Sequence, residues 1–217
     1  MTFTRQDIDA EYHRLGYQRG WSFMACPEAR LRDARVAIVG LNPGGGGPGD
    51  NYQYQGLWDE PAGNCYYRER WGPGGQPTPL QRQIWAWHDE LGLGPDDSFC
   101  AQFVPFRSPD WRRLERKPEA VHFGERLWRW VLSVSPAEIL VTMGKLPAAY
   151  LAEATTATRW ASRLPTGWGR QGIDVYDTAD GRRIVAMPHP GRYGLFGRGE
   201  ASETARTSFR AATGLEA

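Results

Sequence analysis

Two short segments each deliver one polar side chain to the end of an apolar run. Val36-Ala37-Ile38-Val39 leads into Gly40-Leu41-Asn42-Pro43-Gly44, where two glycines and a proline restrict the backbone around Asn42. The Asn42 amide could orient a water and hydrogen-bond a substrate, while backbone N–H groups of the turn could hold an anionic base or a phosphate. Ile184-Val185-Ala186-Met187 leads into Pro188-His189-Pro190-Gly191-Arg192-Tyr193-Gly194-Leu195-Phe196, in which two prolines hold His189 in place. An imidazole fixed at a strand's carboxyl end can donate to a developing anion, or carry positive charge, as an electrostatic catalyst. Taken singly, Asn42 also reads as a strand-ending Asx turn, and His189 as a loop histidine with a satisfied backbone bond.

The elements that must position these residues are legible as apolar runs. Val36 to Val39, Phe99 to Val104, Ile139 to Thr142 and Ile184 to Met187 are β-branched or aromatic and stop at turn chemistry. Their continuous apolar character predicts strands covered on both faces, as in a parallel sheet with helical crossovers. Helical patterns fall between them at Leu80 to Leu91, Glu119 to Leu132 and Leu146 to Ala154, and Glu200 to Ala212 closes the chain. The segment Gly44 to Pro79 is too long for a mere connector. With Pro105 to Pro109 and Pro188 to Phe196 it must emerge at the carboxyl ends of the strands, where open α/β sheets bind ligands. Thr155 to Tyr176 is poorly patterned and leaves room for a hairpin.

Together, Gly40-Leu41-Asn42-Pro43-Gly44 and His189-Pro190-Gly191 resemble the paired active-site motifs of the uracil-DNA glycosylase superfamily. The first is similar to the Gly-x-Asn-Pro-Gly form of the mismatch-specific, thymine and single-strand-selective branches, and the second to the family's His-Pro-Ser. The resemblance runs from about Arg35 to Phe196. It implies a single three-layer α/β/α domain around a central, mostly parallel four-stranded sheet. It also implies a monofunctional DNA glycosylase that flips out uracil or a related deaminated or modified base and hydrolyses its N-glycosidic bond. Asn42 then matches the residue that positions the attacking water, and His189 the one that stabilises charge on the departing base. Gly40, Leu41, Pro43 and Gly44 line the base pocket. No metal or cofactor is required, and the expected partner is DNA carrying the altered base.

The same resemblance assigns further positions. Tyr54, with Tyr52 close behind, occupies the place of the aromatic that stacks on the extruded base. Gln102, with Phe103 beside it, stands where the family usually has an asparagine reading the base edge. The longer arm implies a shallower pocket or a different base. Arg192, Tyr193 and Leu195 match the loop that enters the DNA, and Arg107 joins them as a DNA-facing residue. Where the most active uracil-excising branch has an aspartate this chain has Asn42, which implies slow turnover or a narrow substrate.

Composition narrows the alternatives. The chain has 217 residues and 41% hydrophobic content, enough for one core and consistent with one domain. A net charge of +1 marks no general basic field, but nearly all the positive charge is arginine, which can grip phosphate. Cys26, Cys65 and Cys100 lack metal-site spacing and do not reproduce the four-cysteine pattern of the iron–sulfur branches. No apolar run is long enough to span a membrane, and the charged start predicts a cytoplasmic protein; a monomer is expected. Gly44-Gly45-Gly46-Gly47-Pro48-Gly49 satisfies G-x-G-x-x-G formally, but Pro48 and the long loop after it oppose the helix a dinucleotide site needs. A Ser/His/Asp hydrolase is disfavoured because no Gly-x-Ser-x-Gly elbow exists. A non-catalytic reader of modified bases or nucleotides, with Asn42 and His189 as contacts only, remains the alternative.

Overall fold

The structure, a computed structural model, describes residues 2–45, 56–155, 158–197 and 199–214. In chain order the elements are α1 (Arg5–Leu15), β1 (Trp21–Ser22), α2 (Arg30–Asp33), β2 (Val36–Gly40), β3 (Gly56–Leu57), α3 (Cys65–Arg68), α4 (Pro79–Leu91), β4 (Phe99–Gln102), α5 (Lys117–Val134), β5 (Ile139–Met143), α6 (Lys145–Ala154), β6 (Arg159–Pro165), β7 (Gly172–Asp177), β8 (Arg183–Met187) and α7 (Glu200–Thr213).

The architecture is mixed α/β around a six-stranded sheet of order β4-β2-β5-β8-β7-β6. The four strands expected from sequence form its parallel part: β2 pairs with β4 and β5, and β5 with β8, all parallel. Every residue of β2 and β5 is buried, as continuous apolar runs in a doubly covered sheet require. The expected count of four is corrected to six by the β6–β7 hairpin, which joins β8 antiparallel. The hairpin falls almost wholly in the stretch Thr155 to Tyr176 that leaves room for one; its strands have no clear pattern in sequence because β6 is an edge strand that carries Arg159, Trp160, Arg163 and no apolar run. Trp160 is 57% exposed. β7 buries Ile173 and Val175, while its buried Asp174 is paired 2.6 Å from the Lys145 ammonium.

The opposite edge is closed by the N-terminal segment. Trp21 bridges Phe106 and Met24 bridges Ala101, both antiparallel, and the Gln102 N–H donates to the Phe23 carbonyl. That cover satisfies an edge that would otherwise offer free ladder groups. β1 also pairs with β3 in a two-stranded parallel sheet.

Helix boundaries follow capping chemistry. In α4 the Thr78 hydroxyl accepts from the Gln81 N–H while the Gln81 side chain accepts from the Thr78 N–H, Pro79 opens the helix, and Gly92 closes it in the left-handed conformation. The apolar face of α4 buries Ile84, Trp87 and Leu91. α1, unmarked by the sequence reading, carries a similar Thr4–Asp7 capping box and a Gly16 stop.

On the buried face of α4, His88 is fully enclosed, with Nδ1 2.8 Å from the Tyr67 hydroxyl and Nε2 2.7 Å from Ser98 Oγ. Burial lowers its pKa to about 4. The folded state therefore holds the neutral ring at pH values where the unfolded chain, near 6.5, is already protonated. Stability is complete above about pH 6.5 and falls as the pH drops toward 4, by roughly 2 to 3 kcal/mol for this one group between pH 7.5 and 4.5. Urea midpoints measured across that range should show the decline, and His88→Gln should remove most of it. An unchanged slope in the variant would assign the proton uptake to another group.

Candidate functional site

The carboxyl ends of the four parallel strands form one rim, and register sets the heights of the residues on it. Gly40 is level with Gln102, Val39 with Thr142, and Thr142 with Ala186. Asn42 follows Val39 by three residues and His189 follows Ala186 by three, so both leave the sheet at the same level. The strands that carry them, β2 and β8, lie two strand spacings apart, about 10 Å.

Asn42 is held by the loop after β4. Its Nδ2 donates to Ser108 Oγ at 2.9 Å, to the Phe106 carbonyl at 3.3 Å and to the Pro43 carbonyl at 3.2 Å. Ser108 spends its only proton on the Asp110 carbonyl, 2.8 Å away, so Oγ must accept from Asn42. The amide orientation follows from this network. Oδ1, an acceptor, is left uncommitted among the described residues. Gly44 is tied into the same loop by Arg107, whose Nη1 donates to its carbonyl at 3.0 Å.

His189 is fixed by its own turn. Its carbonyl accepts from the Arg192 and Tyr193 N–H groups, and its Nδ1 accepts from the Gly191 N–H at 3.1 Å. The neutral ring therefore carries its proton on Nε2, which is left to donate outward. Desolvation by the surrounding rim, then the charge of Arg192, lower its pKa. The residue is nonetheless open to solvent at the rim. Gly191 lies against the imidazole so closely that a Cβ there would sit 3.1 Å from Cε1. Between Asn42 and His189, β5 ends in Gly144, whose φ of 109° turns the chain into α6. The Thr142 hydroxyl locks that turn by donating to the Gly144 carbonyl at 2.7 Å.

At the β4 end, Gln102 folds over Gly40. A Cβ on Gly40 would stand 2.2 Å from Gln102 Oε1, so only glycine admits the amide without displacing it. Gln102 Nε2 reaches the buried Tyr66 hydroxyl at a long 3.5 Å, and Oε1 is buried with no hydrogen-bond partner. Orphaned buried acceptors are costly, and such an atom is a natural seat for an incoming donor.

Other residues expected at the site are distributed differently. Leu41 is half-buried, Pro43 buried and Gly44 exposed in the Asn42 turn. Phe103 is fully buried, stacked on Trp128 and Tyr150, while its N–H donates to the Gly40 carbonyl. Leu195 is corrected as a DNA-entering residue, because at 3% exposure it belongs to the core beside Phe196. That leaves exposed Arg192 and half-buried Tyr193 on the outer face of the loop. Tyr52 and Tyr54 lie outside the described residues. Ser108, Tyr66 and Gly144 were missed from sequence. The Ser108-Pro109-Asp110 turn signal could have pointed to Ser108, whereas nothing in the local pattern distinguishes Tyr66 from a packing aromatic.

Among the described residues no group of three or more His, Cys, Asp or Glu gathers as a metal ligand set, and no helix is long and apolar enough to cross a membrane. Compared with known proteins, the sequence matches no family model and no curated protein.

Because the Arg192 charge opposes protonation of His189, Arg192→Gln should raise the imidazole pKa, read by NMR titration of the ring. A pKa that stays put or falls would remove Arg192 from the electrostatics of the rim.

Proposed function

We propose that this protein is a monofunctional DNA glycosylase of the uracil-excising type, built as a three-layer α/β/α domain. The layering is supported by the grouping of α5 with α6 and of α4 with α7 around the sheet. The observation that carries the activity is the state of three polar atoms on one rim. Asn42 Oδ1, His189 Nε2 and Gln102 Oε1 are each left uncommitted, among the described residues, by bonds that fix their side chains.

In this reading a flipped base lies across the strand ends. The Gln102 amide offers an acceptor and a donor, the complement of a base edge that presents an N–H beside a carbonyl, as uracil does. The C1′–N bond lengthens toward an oxocarbenium-like sugar, and the bonding electrons pass to the base. His189 Nε2–H donates to the oxygen where that negative charge gathers. Asn42 Oδ1 accepts a hydrogen bond from a water and aims its oxygen at C1′. The new C1′–O bond forms as the C1′–N bond breaks, the water's extra proton leaves to solvent, and the base anion is protonated after release. An amide is no general base, so positioning rather than proton abstraction is its contribution, and slow turnover follows.

The test is single-turnover excision on oligonucleotides carrying uracil, hypoxanthine, xanthine, thymine mismatches and modified cytosines, with abasic sites revealed by alkali. At least one base should be released. Asn42→Ala and His189→Ala should each slow that release by roughly 100-fold or more, the scale of losing an aligned donor or positioning group. Excision that survives both substitutions at wild-type rate would refute the site, and silence across the panel with retained DNA binding would favour a non-catalytic reader. Gln102→Asn should change which base is preferred. Gly40→Ala, which pushes the same amide aside, should disturb that preference too; unaltered selectivity in both variants would take Gln102 out of the pocket.

A further inference from the structure

We propose a second binding site next to the rim: the cleft between Arg19, Arg107 and Arg113 takes a phosphate group, supplied by the backbone of the DNA strand whose base is being read. The choice of DNA as the source rests on the glycosylase reading; the affinity for phosphate rests on the cleft itself.

The cleft has a volume of about 190 Å³ and is lined by Arg19, Arg107, Ser108, Arg113 and Glu115, among others. At about 30 Å³ per water, this is room for a phosphate group with a few waters. Three separate segments bring these arginines to one cleft. Arg19 comes from the loop after α1, Arg107 from the loop after β4, and Arg113 from the short turn that follows Asp110. Guanidinium forks match phosphate oxygens in geometry as well as charge. Arg107 also feels the Glu60 carboxyl, and the acidic groups nearest Arg113 are weakly placed. Asp110 meets Arg113 at 3.3 Å, but both side chains are about half or more in solvent, where such a pair is worth little. Glu115 is exposed, and its carbonyl is engaged by the Tyr17 hydroxyl.

The larger cleft between α1 and α5 fails the same reasoning. Its Arg14 is already paired with Glu11 at 2.6 Å, and Glu119 with Arg116 at 3.0 Å, so its charges cancel internally.

Position points to a polymer rather than a free anion. Ser108 belongs both to the cleft and to the Asn42 support: its Oγ accepts from Asn42 and its N–H reaches the Pro43 carbonyl at 3.3 Å. Arg107 lines the cleft and holds the Gly44 carbonyl. A phosphate seated there lies one side chain from the catalytic turn, where the backbone beside an extruded nucleotide must pass. A chain with a net charge of only +1 has no general field to attract DNA, so its phosphate contacts must be concentrated at such places.

The experiment is fluorescence anisotropy with a 20-nucleotide single strand and its duplex, neither carrying an altered base, over a range of KCl concentrations. Arg19→Ala and Arg113→Ala, both on exposed turns, should each weaken binding about three- to tenfold. Each should also lower the slope of log K against log salt by roughly one, the signature of one lost phosphate contact. Wild-type slope and affinity in both variants would overturn the site, as would a wild-type protein that binds neither oligonucleotide. Displacement of DNA by low-millimolar inorganic phosphate, beyond the effect of KCl at equal ionic strength, would reveal a free-anion site and overturn the backbone assignment. The excision panel is read separately. A protein that excises nothing while its DNA affinity depends on Arg19 and Arg113 sinks the glycosylase reading and supports the phosphate site, and the reverse pattern sinks the phosphate site alone.

Discussion

The rim depends on the parallel register of β2, β5 and β8. Val39, Thr142 and Ala186 lie side by side, and three residues beyond the two outer members stand Asn42 and His189. A slip of one residue in either ladder would shift one partner by about 3.3 Å and turn its side chain to the opposite face. β5, the strand between them, could have obstructed the space. Its residue at matching height is Lys145, but the chain has already turned at Gly144 into α6, and Asp174 of β7 draws the ammonium to itself at 2.6 Å. The antiparallel hairpin thus supplies the carboxylate that holds the Lys145 ammonium.

Within that frame, single protons decide what the polar atoms can do. Ser108 has one hydroxyl proton and gives it to Asp110, so the Asn42 amide can point only one way. His189 accepts a hydrogen bond from the Gly191 N–H on one nitrogen, so it can donate only from the other. Both constraints trace back to backbone groups in tight, proline-containing loops, the Asp110 carbonyl acting through the Ser108 hydroxyl and the Gly191 N–H acting directly. Groups oriented before a substrate arrives need no reorganisation when charge develops, which is where electrostatic catalysis gains most.

The parallel strands and the helices α4 to α7 were legible because burial on both faces demands continuous apolar runs, and because Thr78, Pro79 and Gly92 mark helix ends in plain chemistry. Asn42 and His189 stood out for the same reason, each being a polar residue held by prolines just past such a run. What was hidden depends on contacts distant in sequence. The stretch Thr155 to Tyr176 leaves room for a hairpin, but β6 is not legible as a strand because an edge strand needs no apolar run. Phe103 and Leu195 misled because an aromatic or leucine beside a site residue points inward or outward according to packing that the local sequence does not encode. Phe103 faces Trp128 and Tyr150, and Leu195 turns into the core. Tyr66, meeting Gln102 across 36 positions, carries no local signal.

The charge state of His189 bears on how the proposed reaction gains its rate. Desolvation and then the Arg192 charge favour the neutral imidazole before the bond breaks, so it meets the intact, uncharged base as an ordinary donor. As negative charge moves onto the base, the environment that disfavoured an imidazolium becomes one that favours a stronger hydrogen bond. The His189 interaction therefore grows along the reaction coordinate, and only interactions that strengthen toward the transition state accelerate a chemical step. A histidine already cationic in the ground state would bind the substrate more tightly and spend part of that advantage before the bond begins to lengthen. Exposed Arg192, three residues along the same loop, adds a permanent positive charge that depresses the imidazole pKa.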